Sequence, residues 1–335
     1  MRFGVAMPTA TEGMMYPIPY ADIEQAVELA VAADRMGYDS VWGNDHVSTQ
    51  AYVRSEFEDP PRFYDPITYL TFVAAKAPRI KIGTAVMVLP FRHPVVAAKQ
   101  IATLDQLSNG RLILGVGIGA YREEFAAMWR GRNLHRGDYT RECIEALQSL
   151  FDERRSSYEG TYISFEDVES YPKPVQDPLP ILSGGNAPGT RQRAGALCQG
   201  WMPACLTVDE ISSGMSDIER VADEHDRELP PDFDVALQVA VSIGATHEAA
   251  IKSFEASQIY AHTRSLSKST LKGKQADYQD RNLIGTADGV AEQIAAYRDA
   301  GVTTMAALLF TCDTVPETIE AMEEFANDVI PVLGQ

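Results

Sequence analysis

Cysteine is scarce and unpatterned in this chain. Its four cysteines among 335 residues, Cys143, Cys198, Cys205 and Cys312, form no C-x-x-C pair. A zinc ribbon or a disulfide framework is therefore not expected, and reduced structural thiols are. No run of 18 apolar residues occurs, so no helix is expected to span a bilayer. The amino-terminal MRFGVAMPTA has one Arg, an early Pro and no long apolar stretch, which predicts a first strand rather than a secretory signal. Positive charge is in deficit: 29 Lys and Arg stand against 47 Asp and Glu, a net charge of −18. That balance argues against nucleic-acid or anionic-membrane partners, which need a basic face, and fits a cytoplasmic protein. The motifs H-E-x-x-H, G-x-x-x-x-G-K-[ST] and G-x-S-x-G are missing, and no cluster of His and carboxylates suggests a metal.

What is present is an alternation of short apolar segments and longer amphipathic ones. Strands are predicted at 2–7, 40–42, 80–88, 111–117, 179–185, 200–204, 233–245 and 304–310. Helices are predicted between them, for example from Asp22, a good N-cap, to Met36, with Gly37 as the stop. Strands that are apolar throughout belong to parallel sheets covered on both faces. Eight such units predict a single (β/α)8 barrel, a TIM barrel, spanning residues 1–335. The excess length falls in two polar stretches, 46–65 and 257–283, and the second holds Lys268, Lys272 and Lys274. Long loops of this kind tend to be lids. The rival architecture is a doubly wound sheet, because Gly115, Gly117 and Ala120 satisfy G-x-G-x-x-[GA]. That fingerprint usually opens a first βαβ unit, whereas here it follows the fourth strand.

In a barrel, chemistry collects where strands end at their carboxyl side. His46 ends the second strand in a polar loop beside Asp45 and is suited to act as a base or donor. Asp45 either orients His46 or caps a turn, since adjacent side chains on an extended segment point apart. Gly184 and Gly185 precede Asn186, Pro188 and a helix carrying Thr190, Arg191 and Arg193. Glycine allows close backbone approach, and a helix N-terminus offers free N–H groups, so this is an anion site suited to a phosphate. Gly115, Gly117 and Gly119 leave room for a flat ring. Of the other histidines, His93 before Pro94 is expected to be structural, and His135, His225 and His247 are expected at the surface. His262 falls in the lid, within reach of a substrate.

Residues 80–125, IKIGTAVMVLPFRHPVVAAKQIATLDQLSNGRLILGVGIGAYREEF, resemble the luciferase-like flavin- and F420-dependent oxidoreductases. SVWGNDHV (40–47), the stretch 171–202 and LIGTADGVAEQIAAYRDAGV (283–302) agree with the same family in the same order. The resemblance implies a barrel, often dimeric, with a lid after the seventh strand. It implies that Asp45 and His46 lie beside the isoalloxazine ring and that Ala85–Val86 forms a non-prolyl cis peptide under it. It further implies that Gly117, Ile118 and Gly119 line the ring, and that Ser183, Gly184, Gly185 and Asn186 hold the cofactor phosphate. One departure matters. F420-dependent dehydrogenases of this family typically carry a Glu just after the G-x-G turn, where this chain has Ala120. Glu123 and Glu124, one helical turn on, are expected to point elsewhere.

The first reading from this resemblance is a monooxygenase that uses reduced FMN from a separate reductase, with oxygen and a small organic substrate. His46 would move a proton or steady the peroxide, and Tyr16, Trp42, Tyr64 and Trp201 would wall an apolar substrate pocket. The second is an F420-dependent hydride-transfer oxidoreductase in the same pocket, with Arg191 or Arg193 meeting the anionic tail. The third is a flavin-binding protein without turnover. A homodimer is expected under each.

Overall fold

The computed structural model describes residues 1–131, 134–266 and 278–333. Eight strands form its centre: β1 (Arg2–Met7), β2 (Ser40–Gly43), β3 (Lys81–Val88), β4 (Leu112–Gly117), β5 (Ile181–Gly184), β6 (Gly200–Met202), β7 (Asp234–Ile243) and β8 (Thr304–Phe310). Each pairs in parallel with the next, and β8 returns to β1 through Arg2↔Thr304 and Phe3↔Met305. The ring is closed, which removes the open-sheet alternative and accounts for strands that are buried over nearly their whole length. The eight strands fall where they were expected, β2 running one residue beyond its expected end to Gly43.

The helices in chain order are α1 (Ile23–Met36), α2 (Ala51–Glu56), α3 (Pro66–Lys76), α4 (Pro94–Ser108), α5 (Arg122–Met128), α6 (Arg136–Asp152), α7 (Pro188–Leu197), α8 (Val208–Glu224), α9 (His247–Ala256), α10 (Gln258–Leu266), α11 (Ala287–Asp299) and α12 (Val315–Glu324). Their boundaries follow local chemistry. Asp22 forms a capping box with Gln25, and Gly37 closes α1 in the left-handed region. His93 caps α4 by accepting the Val95 N–H, the structural role expected of it. Several elements lay outside the sequence reading, among them α2 inside the stretch 46–65, α5, α9, α10 and an antiparallel hairpin of Ser156–Glu159 with Ser164–Val168. The expected lid of 257–283 contains α10 and then leads to a short strand, Leu283–Gly285, on the upper half of β7. Its residues 267–277, with Lys268, Lys272 and Lys274, lie outside the described residues. Among the described residues no helix is long and apolar enough to cross a membrane.

The barrel interior explains why two expected pocket residues belong to the core. Trp42 is 1% exposed and packs with Ala6, Ile113, Leu182, Met202 and Ala236. Its indole fits because β1 and β3 carry glycine beside it. A Cβ on Gly83 would come within 2.2 Å of the ring, and one on Gly4 within 2.4 Å of Nε1. Its Nε1 donates to Ser40 Oγ at 2.8 Å, so the one polar atom is satisfied. Trp42 thus plugs the barrel instead of walling a substrate pocket. Trp201 is equally buried, packed over Gly214 of α8, and donates from Nε1 to the Gly185 carbonyl at 2.9 Å. Tyr16 stacks on Tyr20 at 4.0 Å within the main core. Tyr64 packs against the edge of that core.

Candidate functional site

A cavity of about 910 Å³ opens where the strands end at their carboxyl side. Asp45, His46, Ala85, Val86, Gly117, Ile118, Gly119, Gly184, Gly185 and Asn186 all line it. Residues as far apart in sequence as Asp45 and Asn186 are thereby brought together by strand order. Ser183, expected with them at the cofactor phosphate, does not line it, nor do Tyr16, Trp42, Tyr64, Trp201 or Arg193. The Ser183 hydroxyl is buried and donates to the Thr190 carbonyl at 3.0 Å, tying β5 to α7.

His46 sits in the loop after β2 with a side chain 15% exposed. Its Nδ1 is 3.1 Å from Oε2 and 3.2 Å from Oε1 of Glu124. Glu124 is 1% exposed and also accepts the Val47 N–H at 2.9 Å. A carboxylate only accepts, and the Gln50 amide, 3.1 Å from the same Nδ1, has an otherwise unpartnered oxygen that accepts there once the amide is turned, so with the proton on Nδ1 the Nε2 is left as the free nitrogen of the neutral ring. Glu124 is the functional residue that sequence reasoning missed. It stands in the first turn of α5, 78 positions from His46, and no spacing rule links the two. Its neighbour Glu123 accepts the Ala51 N–H at 2.9 Å and so caps α2. The two acids clamp the segment that carries His46 at both ends. Neither carboxylate lines the cavity, so neither replaces the acid absent at Ala120, as expected; what the sequence did not indicate is that Glu124 is turned to His46.

Asp45 has a different task. Its buried carboxylate accepts the Val88 N–H at 2.9 Å and pairs with Arg92, which also reaches Asp65 at 3.1 Å. It fastens the β2 loop to the end of β3, and the orienting role toward His46 belongs to Glu124. Between these fixed points the Ala85–Val86 peptide is cis, as the resemblance implies. The Val86 side chain is seated between two glycines: a Cβ on Gly117 or Gly184 would meet it at 2.5 or 2.4 Å.

Opposite His46, Gly184 to Ala187 lead into α7, whose first turn contributes Thr190 and Arg191 to the wall. The first N–H groups of a helix have no intrahelical partner and attract anions. Asn186 is a staple here, exchanging hydrogen bonds with the Ala204 backbone at 2.7 and 3.0 Å. Arg191 donates to the Asn186 carbonyl at 2.8 Å and pairs with Asp217 at 2.9 Å. Arg193 is buried just behind, and its Nε finds no partner among the described residues. This cup and the flat-walled space before it fit a phosphate-bearing ring cofactor.

The third wall is aromatic. His46 faces Tyr121 at 5.6 Å and Phe63 at 5.8 Å between ring centres. Tyr52 continues the row and its hydroxyl lies 2.8 Å from Nδ1 of His262. His262 on α10 lines the same cavity and is 7% exposed. Burial, with a smaller contribution from His46, pushes its pKa down to about 4. Burial likewise raises the Tyr52 and Tyr121 hydroxyls, which stay protonated. Among the described residues no group of three His, Cys, Asp or Glu could share a metal ion.

Comparison with known proteins agrees with this geometry. The family model described as luciferase-like monooxygenase matches residues 1–304. An F420-dependent glucose-6-phosphate dehydrogenase from Microbacterium testaceum is 30% identical over 68% of this chain and 67% of its own length. The oxygenase component of a flavin-dependent trigonelline monooxygenase from Acinetobacter baylyi is 32% identical over 48% of this chain and 42% of its own. In fold, the chain is similar to a monooxygenase from Streptomyces bottropensis, with a TM-score of 0.79 at 22% identity over 99% of both chains. The chain belongs to the luciferase-like monooxygenase family of oxidoreductases.

Proposed function

We propose that the protein is an F420-dependent oxidoreductase that interconverts an alcohol and a carbonyl compound. The observation that carries this reading is the His46–Glu124 pair: a basic Nε2 at the wall of a ring-sized cavity, backed by a buried carboxylate. The cofactor assignment draws on the F420-dependent relatives, whose similarity extends over two thirds of the chain. When bound, F420 supplies a ring carbon that accepts or returns a hydride. The backbone from Gly184 to Ala187, with Thr190 and Arg191, would hold its phosphate. Ala85, Val86 and Gly117 to Gly119 would bound its ring.

The remaining work falls to the protein. As an alcohol carbon gave up a hydride, which carries both electrons, its hydroxyl proton would pass to Nε2 of His46. Glu124 offsets the positive charge that forms on the imidazole, and the clamp on Val47 keeps the ring aimed. Tyr121, Met14 and His262 limit water at the reacting centre.

A second reading is favoured by one residue. Ala120 lines the cavity where a carboxylic acid is typical of the F420-dependent dehydrogenases, and a methyl group donates no proton. On that reading the protein is the oxygenase half of a two-component system, with reduced FMN delivered by a separate reductase. Titration of the purified protein with F420 and with reduced FMN separates the two. Micromolar binding of F420 with alcohol-dependent bleaching of its absorbance supports the first reading. Binding of reduced FMN alone, with oxygen uptake, replaces it with the second.

A further inference from the structure

One relative named above is an F420-dependent glucose-6-phosphate dehydrogenase; glucose 6-phosphate is a dianion, and the cavity of this chain is poorly made for one. Once the phosphate cup and the ring-bounding residues are set aside, the lining of the cavity includes Met14, Met15, Tyr121, Leu206, Gln238 and His262. Two of these are thioethers, one is an aliphatic chain and the others are neutral hydrogen-bonding groups. The cationic side chains of the cavity, among the described residues, are Arg191 and Arg281. Both are matched: Arg191 with Asp217 at 2.9 Å, and Arg281 with Glu210 at 2.5 and 3.2 Å. Asp209 adds a further negative charge to the same wall. A substrate phosphate would have to enter a partly buried space where each cation already has its carboxylate, and buried charge without a partner is expensive.

We propose that the substrate is an uncharged, largely apolar alcohol or carbonyl compound, and that His262 binds its oxygen by a hydrogen bond while His46 moves its proton. Tyr52 is the reason His262 can do so. The Tyr52 hydroxyl lies 2.8 Å from Nδ1 of His262. With the hydroxyl proton donated to Nδ1, the ring proton sits on Nε2 and is free to be donated to a substrate oxygen. Its pKa of about 4 keeps the imidazole neutral at assay pH, so it offers a hydrogen bond and no countercharge. Gln238, half-buried on β7, supplies a second neutral donor on the cavity wall. Methionines adapt to apolar shapes of varied outline, which suits a bulky hydrocarbon portion.

This inference rests on the reading that cofactor and substrate share the cavity, so the experiment is arranged in two stages. Fluorescence titration first measures F420 binding; absence of binding ends that reading independently. Calorimetry on the F420-loaded protein then compares propan-2-ol, cyclohexanol and menthol with glucose 6-phosphate. At least one neutral alcohol should bind and be oxidised, with affinity rising as apolar size grows. Glucose 6-phosphate should bind at least tenfold more weakly than that alcohol. His262→Ala should weaken alcohol binding about tenfold and leave F420 affinity unchanged, with His262→Gln recovering part of the loss. Circular dichroism verifies that both variants fold. The proposal is overturned if glucose 6-phosphate binds as tightly as the alcohols, if no alcohol binds to the loaded protein, or if His262→Ala leaves alcohol affinity intact.

Discussion

Two histidines face one cavity, and their surroundings give them opposite characters. His46, at the rim of β2, has a buried carboxylate on its Nδ1, so a proton taken at Nε2 leaves an imidazolium already paired. His262, on α10, has a tyrosine hydroxyl at the same atom and no acid within hydrogen-bond reach among the described residues. Charge is tolerated at the first and resisted at the second, where burial holds the pKa near 4. The residue type is the same. What differs is whether the partner on Nδ1 carries negative charge, and that decides which ring moves protons and which only donates a hydrogen bond.

The largest test of this contrast removes the proton carrier. His46→Ala should lower kcat by about 10²- to 10⁴-fold, with F420 affinity and melting temperature little changed, measured by steady-state kinetics and calorimetry. Loss of less than tenfold would mean that another group moves the proton. The frame that holds His46 can be broken separately. Arg92→Ala leaves the Asp45 carboxylate buried without its cation and should destabilise the fold by about 3–5 kcal/mol, read from the denaturant midpoint. A subtler change converts one histidine environment toward the other. In Glu124→Gln the side chain can still accept the Val47 N–H, but its NH₂ would donate to Nδ1 of His46. The neutral ring would then carry its proton on Nε2 and be unable to accept one. A drop of about 100-fold in alcohol oxidation with normal cofactor binding is expected. An unchanged rate would break the assignment of Glu124 as the positioning residue.

The barrel and the position of His46 were legible in the sequence because both rest on local patterns. Apolar segments such as 111–117, stops such as Gly37 and caps such as Asp22 act over a few residues, and their order implies closure. The glycine cup at 184–185 was legible for the same reason. What stayed hidden depends on contacts between distant segments. Glu123 and Glu124 read as ordinary first-turn acids of a helix, and only the closed ring brings them to Ala51 and His46. Trp42 and Trp201 read as pocket aromatics, since large rings suit both cores and binding sites. The glycines that make room for Trp42, Gly4 and Gly83, lie on neighbouring strands and are uninformative until the register is known. The helix α10 was obscured because one turn of apolar spacing is too short to stand out from a polar loop.

The smallest effect concerns the second histidine and appears as a pH dependence of stability. The folded-state pKa of His262 is about 4, below the 6.5 of a free imidazole, so the unfolded chain binds the proton more readily. Stability therefore rises with pH between about 4 and 6.5 from this residue and is unaffected by it above that window. Replacing the imidazole with a group that does not titrate should remove the slope. Denaturant midpoints of the wild type and of His262→Gln, compared at pH 4.5 and pH 7, should converge at the lower pH by about 1–3 kcal/mol relative to the upper. Equal slopes in the two proteins would mean that His262 meets water freely, and the contrast between the two rings would then rest on their partners alone.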